Sequence, residues 1–195
     1  MTVQPVDFVF PVKGTVATDS GYLWFAGLSV VAPSLHDDMD WILGPITGKR
    51  TGARREGTTL TIRGPLSPKF LALSGCEIQV GDATVVLSDP SVRLLVPHAK
   101  LMSRFVTTNA ETPAQQREEI ARQIYLLAPR CLVKFGHTDS ILVKGNHIWG
   151  SAVEVSGLSS EESLAIQACG VGGRRHMGGG YFSQGERPGF PLRGA

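Results

Sequence analysis

The stretch that decides the fold is residues 101–135, LMSRFVTTNAETPAQQREEIARQIYLLAPRCLVKF. Its start, Leu101–Thr108, predicts a strand, and its end, Cys131–Phe135, predicts another. Between them, Thr112 and Gln115 have the spacing of a capping box, in which each side chain satisfies a backbone amide of a new helix. Apolar residues then recur at helical spacing, at Ile120, Ile124 and Leu127. The stretch therefore predicts a strand, a helix and a second strand in succession.

The rest of the chain continues this alternation. After residue 135 we expect a hairpin of Ile141–Val143 with His147–Val155, and then a helix that Ser159 and Glu162 cap and Gly170 closes. The first half predicts, in order, a strand at Val6–Val12, a helix from Gly21 to Ala32, strands at Trp41–Ile46 and Thr59–Arg63, a short helix at Pro68–Leu73, and a hairpin that turns at Gly81-Asp82. The apolar stripe of the first helix is predicted as Phe25, Leu28, Val31 and Leu35.

Both halves thus share the order β-α-β-β-α-β, without an obvious sequence repeat. That order is the ferredoxin-like, or RRM-like, arrangement, so the predicted class is α+β with two such domains in tandem. We expect an N-terminal domain over residues 1–97, a C-terminal domain over residues 98–183 and a flexible tail over residues 184–195. The alternative is a single α+β domain with one larger sheet.

Composition narrows the class of protein. The chain has 195 residues, of which 42% are hydrophobic, and a net charge of only +2, so any nucleic-acid site must be a local concentration of cations. The three cysteines are far apart and predict neither a disulfide framework nor a zinc site. No apolar run is long enough to span a membrane and the N-terminus lacks a basic signal-peptide start, so we expect a soluble cytoplasmic protein.

The most informative motif is residues 170–180, GVGGRRHMGGG. Glycines allow positive φ and close approach, so successive amides can point at phosphate oxygens, and the two arginines add charge-assisted contacts. The motif lacks the lysine of a nucleotide P-loop, and it follows a helix, whereas the dinucleotide-binding fingerprint follows a strand. We therefore predict an RNA-backbone loop whose contact residues are Gly172, Gly173, Arg174, Arg175 and His176.

A second basic stretch lies between Pro45 and Arg63. Against the single acid Glu56 it carries five cations, Lys49, Arg50, Arg54, Arg55 and Arg63. A solvated loop and an RNA-phosphate contact explain this stretch about equally well, and the second would be sensitive to salt.

None of the five histidines has the spacing of a zinc motif, so no metal ligands are predicted. His36 lies at the predicted end of the first helix, beside Asp37, Asp38 and Asp40. An exposed imidazole can act as a general base on a ribose 2′-hydroxyl without a metal. From these residues alone, a surface histidine at a helix end remains the simpler interpretation. The pair His36-Asp37 also occurs in all-helical metal phosphohydrolases, which the predicted strands argue against.

Several motifs together resemble a known family. The glycine-rich segment Gly170–Phe182 resembles the C-terminal loop of the CRISPR repeat-processing endoribonucleases, the sixth Cas family within the RAMP superfamily. Phe10-Pro11-Val12, Gly21-Tyr22, Pro33–His36 and Ser156–Ser159 are similar to the short variant of the myxobacterial-type class of type I systems.

This resemblance implies two ferredoxin-like domains that bind CRISPR repeat RNA and cleave it at its 3′ side, with no cofactor. The expected products are a 2′,3′-cyclic phosphate and a 5′-hydroxyl. His36 matches the catalytic histidine, and Arg174 and Arg175 match loop positions that contact RNA. Tyr22 is a second site candidate, for which positioning of RNA and packing in the core are equally good interpretations. His176 departs from the pattern, because relatives often carry Arg or Lys there. Other Cas subunits of a type I effector complex are the expected protein partners.

Two alternatives stay open at this stage. One is a RAMP subunit that holds repeat RNA without cutting it, and such relatives lack a usable histidine after the first helix. The other is a generic RRM protein, which needs exposed aromatic residues on its sheet. Only 7% of the residues are aromatic, and they form no cluster of that kind in the sequence.

Overall fold

The structure is a computed structural model that describes residues 4–17, 21–52 and 54–185. The chain forms two compact units. Unit 1 comprises the chain up to Leu95 together with His176–Gly178, and unit 2 comprises Val96–Arg175 and the chain from Gly179 onward. The segment His176–Gly178 therefore belongs to the unit that the remote N-terminal half builds. Most of the tail predicted at residues 184–195 lies outside the described residues.

Unit 1 is built on one antiparallel sheet with helices beside it. Its elements are β1 (Val6–Lys13), β2 (Val16–Ala17), α1 (Gly21–Val31), α2 (Ser34–Asp37), β3 (Ile42–Leu43), β4 (Thr47–Thr51), β5 (Arg54–Gly64), α3 (Pro68–Leu71), β6 (Glu77–Val80), β7 (Ala83–Leu87) and β8 (Ser91–Leu94). Strand β1 lies between β8 and β5, and β3 and β4 pair with β5. This is the strand order of a ferredoxin-like domain, to which the hairpin β6–β7 is added at the end of β1.

The alternating pattern of β1 has the predicted consequence for the core of unit 1. Phe8 and Phe10 are completely buried, and they face a cluster that includes Trp24 and Leu28 of α1. Three members of the predicted stripe, Phe25, Leu28 and Leu35, are buried or packed against this core, whereas Val31 is exposed and Trp24 is buried in addition. Burying the large indole removes more apolar area from water than a valine would.

One buried ion pair fixes the register of the two central strands in unit 1. Arg63 lies directly opposite Asp7 in the β1–β5 ladder. Its guanidinium donates two hydrogen bonds to the Asp7 carboxylate, at 2.7 and 2.9 Å, and is only 2% exposed. Arg63 is therefore a structural residue and not part of the basic surface predicted around it.

Unit 2 repeats the ferredoxin-like arrangement in its simplest form. Its elements are β9 (Lys100–Val106), α4 (Pro113–Leu127), β10 (Leu132–Val143), β11 (Asn146–Ser156), α5 (Ser160–Cys169) and a single 3-10 turn, Arg175–Met177, which runs on into the segment of unit 1. The sheet order is β10-β11-β9, and Ser183 continues it with an isolated bridge to Met102 of β9. Both predicted capping boxes are confirmed, at Thr112 with Gln115 and at Ser159 with Glu162.

Three predicted strands differ from the observed ones. Cys131–Phe135 and Ile141–Val143 are parts of the single strand β10, which continues through a bulge after Phe135. The strand predicted at Trp41–Ile46 shrinks to β3, because Pro45 has no amide hydrogen for a ladder and Trp41 packs into the core. None of the helices in the described ranges is long and apolar enough to cross a membrane.

Candidate functional site

His36 is displayed on a short helix that follows the end of α1. Pro33 stops α1, and the chain then forms α2, which carries His36 with a 62% exposed side chain. The Nδ1 atom of His36 lies 3.0 Å from the Oδ1 atom of Asp37. A carboxylate there accepts a hydrogen bond from Nδ1–H, and this tautomer leaves Nε2 as a proton acceptor. The arrangement has the parts of a general base: an accessible imidazole and a group that orients it.

An aromatic platform in unit 1 carries the His36 ring. The imidazole stacks on Phe25 of α1 with ring centroids 5.5 Å apart. Phe25 also contacts the ring of Trp41, whose indole Nε1–H donates to the carbonyl oxygen of Leu35 at 3.0 Å. That bond ties the platform to the backbone immediately before His36. The sequence did not reveal the platform, because its members come from α1, α2 and the segment that follows.

His176 belongs to the same platform. Its ring lies nearly parallel to that of Trp41, with centroids 4.3 Å apart, and it also stacks on Phe25 at 5.6 Å. The residue is only 8% exposed. We expected His176 to be a surface contact for RNA, but the structure places its ring in the aromatic core of unit 1. A histidine at this position thus provides a flat ring that stacks on two aromatic neighbours.

The first turn of α1 packs closely against the segment His176–Gly178 that carries this ring. A Cβ atom at Gly21 would lie 2.3 Å from the carbonyl oxygen of Met177, so only glycine fits there. Tyr22 follows, is half-buried, and lies three residues before Phe25, on the same face of the helix. Tyr22 therefore shares the helix face that holds the His36 ring.

The acids near His36 have different surroundings. Asp37 is 94% exposed and pairs with His36, whereas Asp38 forms an ion pair with Lys69 of α3. Burial lowers the pKa of the Lys69 ammonium from its ordinary value. Asp38 is thus engaged by a cation, which leaves Asp37 as the carboxylate on the imidazole.

In unit 2 the glycine-rich loop is held by its own amides. The amide of Gly172 donates to the side-chain oxygen of Gln123 at 2.9 Å, and that of Gly173 donates to the carbonyl oxygen of Thr107 at 2.8 Å. Gly172 has a φ of 80°, and a Cβ atom on it would lie 2.4 Å from the same carbonyl oxygen. We predicted that these two amides face phosphate, but in this structure they anchor the loop within its unit.

The two arginines of the loop have different surroundings. Arg174 is exposed and has a left-handed backbone with a φ of 57°, which is uncommon for a residue with a side chain. Arg175 instead donates a hydrogen bond from its guanidinium to the carbonyl oxygen of Cys169 at 2.8 Å. Cys169 is the last residue of α5, so Arg175 satisfies the end of that helix, where a cation is also favoured by the helix dipole.

The second basic stretch is a hairpin rather than a loop. Strands β4 and β5 pair so that Lys49 lies opposite Glu56 and Arg50 lies opposite Arg55. Lys49 is exposed, and the Arg50 side chain lies outside the described part of the structure. Arg54 forms an exposed ion pair with Asp82 at 2.6 Å, and Arg55 donates to the carbonyl oxygen of Gly48. Lys49 and Arg50 on β4 and Arg54 and Arg55 on β5 thus belong to one hairpin of unit 1. In the described ranges, no group of three or more His, Cys, Asp or Glu side chains is arranged to hold a metal ion.

Comparison with known proteins identifies relatives over nearly the whole chain. The family model described as Cas6 Crispr matches residues 6–186. The CRISPR-associated endonuclease Cas6 of Myxococcus xanthus (strain DK1622) is 33% identical over 186 residues, which cover 91% of this chain and 80% of the relative.

Solved structures show the same fold at much lower identity. A CRISPR-associated protein Cas6 superposes with a TM-score of 0.67 at 9% identity, covering 93% of this chain and 100% of its own. A Cas6-related protein of Pyrococcus furiosus superposes with a TM-score of 0.62 at 12% identity, covering 92% and 98%. These likenesses agree with the tandem ferredoxin-like arrangement described above.

Proposed function

The chain belongs to the Cas6 family of CRISPR proteins, and on that premise we propose that it is an endoribonuclease that binds CRISPR repeat RNA and cuts precursor CRISPR RNA into guide RNAs. Its relative from Myxococcus xanthus is a CRISPR-associated endonuclease. We further propose that the cut needs no metal ion and uses the RNA's own 2′-hydroxyl. Other Cas subunits of a type I effector complex are the protein partners that this function implies.

The observation that carries the proposal is the exposed His36 imidazole with Asp37 on its Nδ1 atom. The Nε2 atom takes the proton of a ribose 2′-hydroxyl, and the freed oxygen attacks the adjacent phosphorus. The bond from phosphorus to the 5′-oxygen then breaks, that oxygen takes a proton from water, and the His36 imidazolium returns its proton to the solvent. The products are a 2′,3′-cyclic phosphate and a 5′-hydroxyl, so atoms and charges balance without a metal.

The cations of the two units serve the negatively charged substrate. Arg174 is exposed, and Lys49 and Arg54 lie on the basic hairpin of unit 1, where phosphate contacts neutralise backbone charge. A cation near the scissile phosphate also stabilises the charge that develops on the phosphorane. Tyr22, on the helix face of Phe25, is proposed to position the RNA.

The direct test is cleavage of repeat RNA in the presence of EDTA. We expect one cut. Ligase should label the 3′ end of the upstream product only after the cyclic phosphate has been opened and removed, and a kinase should label the 5′ end of the downstream product directly. A repeat RNA with a single 2′-deoxy nucleotide at the cut should bind but remain intact. Binding without any cut, in EDTA or in magnesium, would instead identify a non-catalytic repeat-RNA-binding subunit.

A further inference from the structure

Unit 2 contains a cleft that the cleavage chemistry does not use. It has a volume of about 510 Å³, and it lies between the Thr107–Pro113 connection, Trp149 of β11 and Arg174 of the glycine-rich loop. The Trp149 side chain is 59% exposed, whereas the other two tryptophans of the chain, Trp24 and Trp41, are buried. An indole exposed in a cleft needs a physical reason, because burying it elsewhere would remove a large apolar area from water.

The backbone under the Trp149 ring is fixed by buried polar groups. The carbonyl oxygen of Trp149 accepts one hydrogen bond from the Thr107 hydroxyl at 2.6 Å and another from the Gln116 amide at 3.1 Å. Both donors are buried, with Thr107 2% exposed and Gln116 7% exposed. The indole is therefore exposed on a rigid support, so little conformational entropy is lost when a ligand stacks on it.

The same threonine sets the position of the cation. The carbonyl oxygen of Thr107 accepts the amide of Gly173, and the next residue is Arg174, with its left-handed backbone. Thr107 thus anchors the aromatic ring through its hydroxyl and the arginine loop through its carbonyl. Trp149 and Arg174 line one cleft, and a single buried residue holds the backbone at Trp149 and at Gly173, next to Arg174.

These contacts point to the occupant, and we propose that the cleft binds one unpaired nucleotide of RNA, with its base stacked on Trp149 and its phosphate on Arg174. Every base has a π-face, and stacking on an exposed aromatic ring is a common mode of single-strand recognition. The cleft has one arginine and one acid, Glu111, so it suits a single nucleotide rather than a run of phosphates. The neighbouring His147 ring stacks against Trp149, with ring centroids 6.2 Å apart, and adds a second aromatic ring to the cleft. This inference rests on the proposed function for the identity of the RNA.

The first test uses the fluorescence of the three tryptophans. Unpaired repeat RNA is titrated into the His36→Ala protein, which keeps the RNA intact. Because Trp24 and Trp41 are buried, a stacked base should quench Trp149 alone, and the quench should vanish in Trp149→Phe although that variant still binds RNA. A quench that persists in Trp149→Phe, or RNA binding without any quench in the parent protein, would overturn the inference.

The second test locates the nucleotide. A series of repeat RNAs, each with one abasic position, is bound to the His36→Ala parent protein and to the same protein with Trp149→Ala. We expect one abasic position to weaken binding roughly tenfold to a hundredfold in the parent and to have little effect in Trp149→Ala. Leu142→Ala is the matched control, since Leu142 is an exposed apolar residue on the same hairpin and outside the cleft.

The two hypotheses fail in different ways. If the wild-type protein binds repeat RNA with a Trp149 quench but never cuts it, the proposed cleavage is wrong and the nucleotide site stands. If Trp149→Ala binds every RNA of the series like the parent protein while the wild type still cuts, the nucleotide site is wrong and the cleavage stands.

Discussion

The turn that carries His36 and the turn that carries His176 both place an imidazole against the same phenyl ring, but one imidazole is exposed and the other is buried. Both imidazoles stack on Phe25, yet one is 62% exposed and bonded to Asp37, and the other is 8% exposed against Trp41. One turn displays a ring to solvent, and the other closes a core. The comparison shows that the two histidines differ in exposure and in the second neighbour of the ring, although both contact Phe25.

The same contrast recurs in other residue types. Arg174 projects from a left-handed backbone into solvent, whereas Arg175 caps α5. Cys169 is exposed and Cys131 is buried. Sequence position alone does not predict this difference for the two arginines, because they are adjacent.

The largest effect should follow removal of the exposed histidine. We expect His36→Ala to slow single-turnover cleavage of repeat RNA by about 10²–10⁴-fold, the typical contribution of a general acid–base group. RNA affinity and thermal stability should change little, because the side chain is exposed. His137→Ala, which removes another exposed imidazole, is the control and should cut normally. Equal rates for His36→Ala and wild type would remove His36 from the mechanism.

Removal of the buried histidine should act on stability instead. We expect His176→Ala to lower the free energy of unfolding by about 2–3 kcal/mol, since it leaves a cavity and loses two ring stacks. Urea denaturation followed by circular dichroism measures this change, and His176→Phe should recover part of it. If His176→Ala kept full stability but lost RNA affinity, His176 would be an RNA contact, as the sequence predicted, and its contrast with His36 would be wrong.

Substitutions of the two adjacent arginines should have different effects, one on RNA affinity and the other on protein stability. Arg174→Gly suits the left-handed backbone while removing one cation, so we expect weaker RNA binding and a plot of log Kd against log salt that is shallower by about 0.7. Arg175→Ala should mainly destabilise the protein, by about 1 kcal/mol, because the carbonyl oxygen of Cys169 loses its donor. A steeper loss of affinity for Arg175→Ala than for Arg174→Gly would reverse these assignments.

The smallest expected effect is on the cysteines, and it concerns how protein stability depends on pH. Burial, with the nearby Glu162 carboxylate as a lesser cause, raises the pKa of the Cys131 thiol above its ordinary 9.0. The folded state therefore favours the protonated thiol, and this contribution to stability is present below pH 9.0 and is lost as the pH rises through the raised pKa. Iodoacetamide at pH 8 should label Cys169 well before Cys131, as mass spectrometry of the native protein would show. Equal labelling rates would contradict the buried position of Cys131.

Much of the fold was accessible from the sequence because its signals are local. The two capping boxes, the alternation of β1 and the Gly81-Asp82 turn each involve residues that lie within a few positions of one another, and each is confirmed. Pro33 ended α1 as predicted. Strand ends were less accurate, because β10 carries a bulge and β5 gains partners that are distant in the chain.

The candidate site was accessible only in part. His36 was singled out by its neighbours and by a family resemblance, and its catalytic role remains a prediction. The platform under it was missed, because Phe25, Trp41 and His176 are up to about 150 residues apart and no local pattern links them. Trp149 was missed for a similar reason, since its exposure depends on how β11 pairs with β9 and how Thr107 holds its backbone.

The segment His176–Gly178 also has a consequence for synthesis on the ribosome. Unit 1 is otherwise complete at Leu95, but the ring that closes its aromatic core emerges about 80 residues later. At typical translation rates that interval is on the order of 4–16 s. During it, Trp41 and Phe25 lack their His176 partner, so the nascent N-terminal half exposes apolar rings to chaperones. The chain can cover Phe25 and Trp41 with the His176 ring only after nearly all of its second half has been translated.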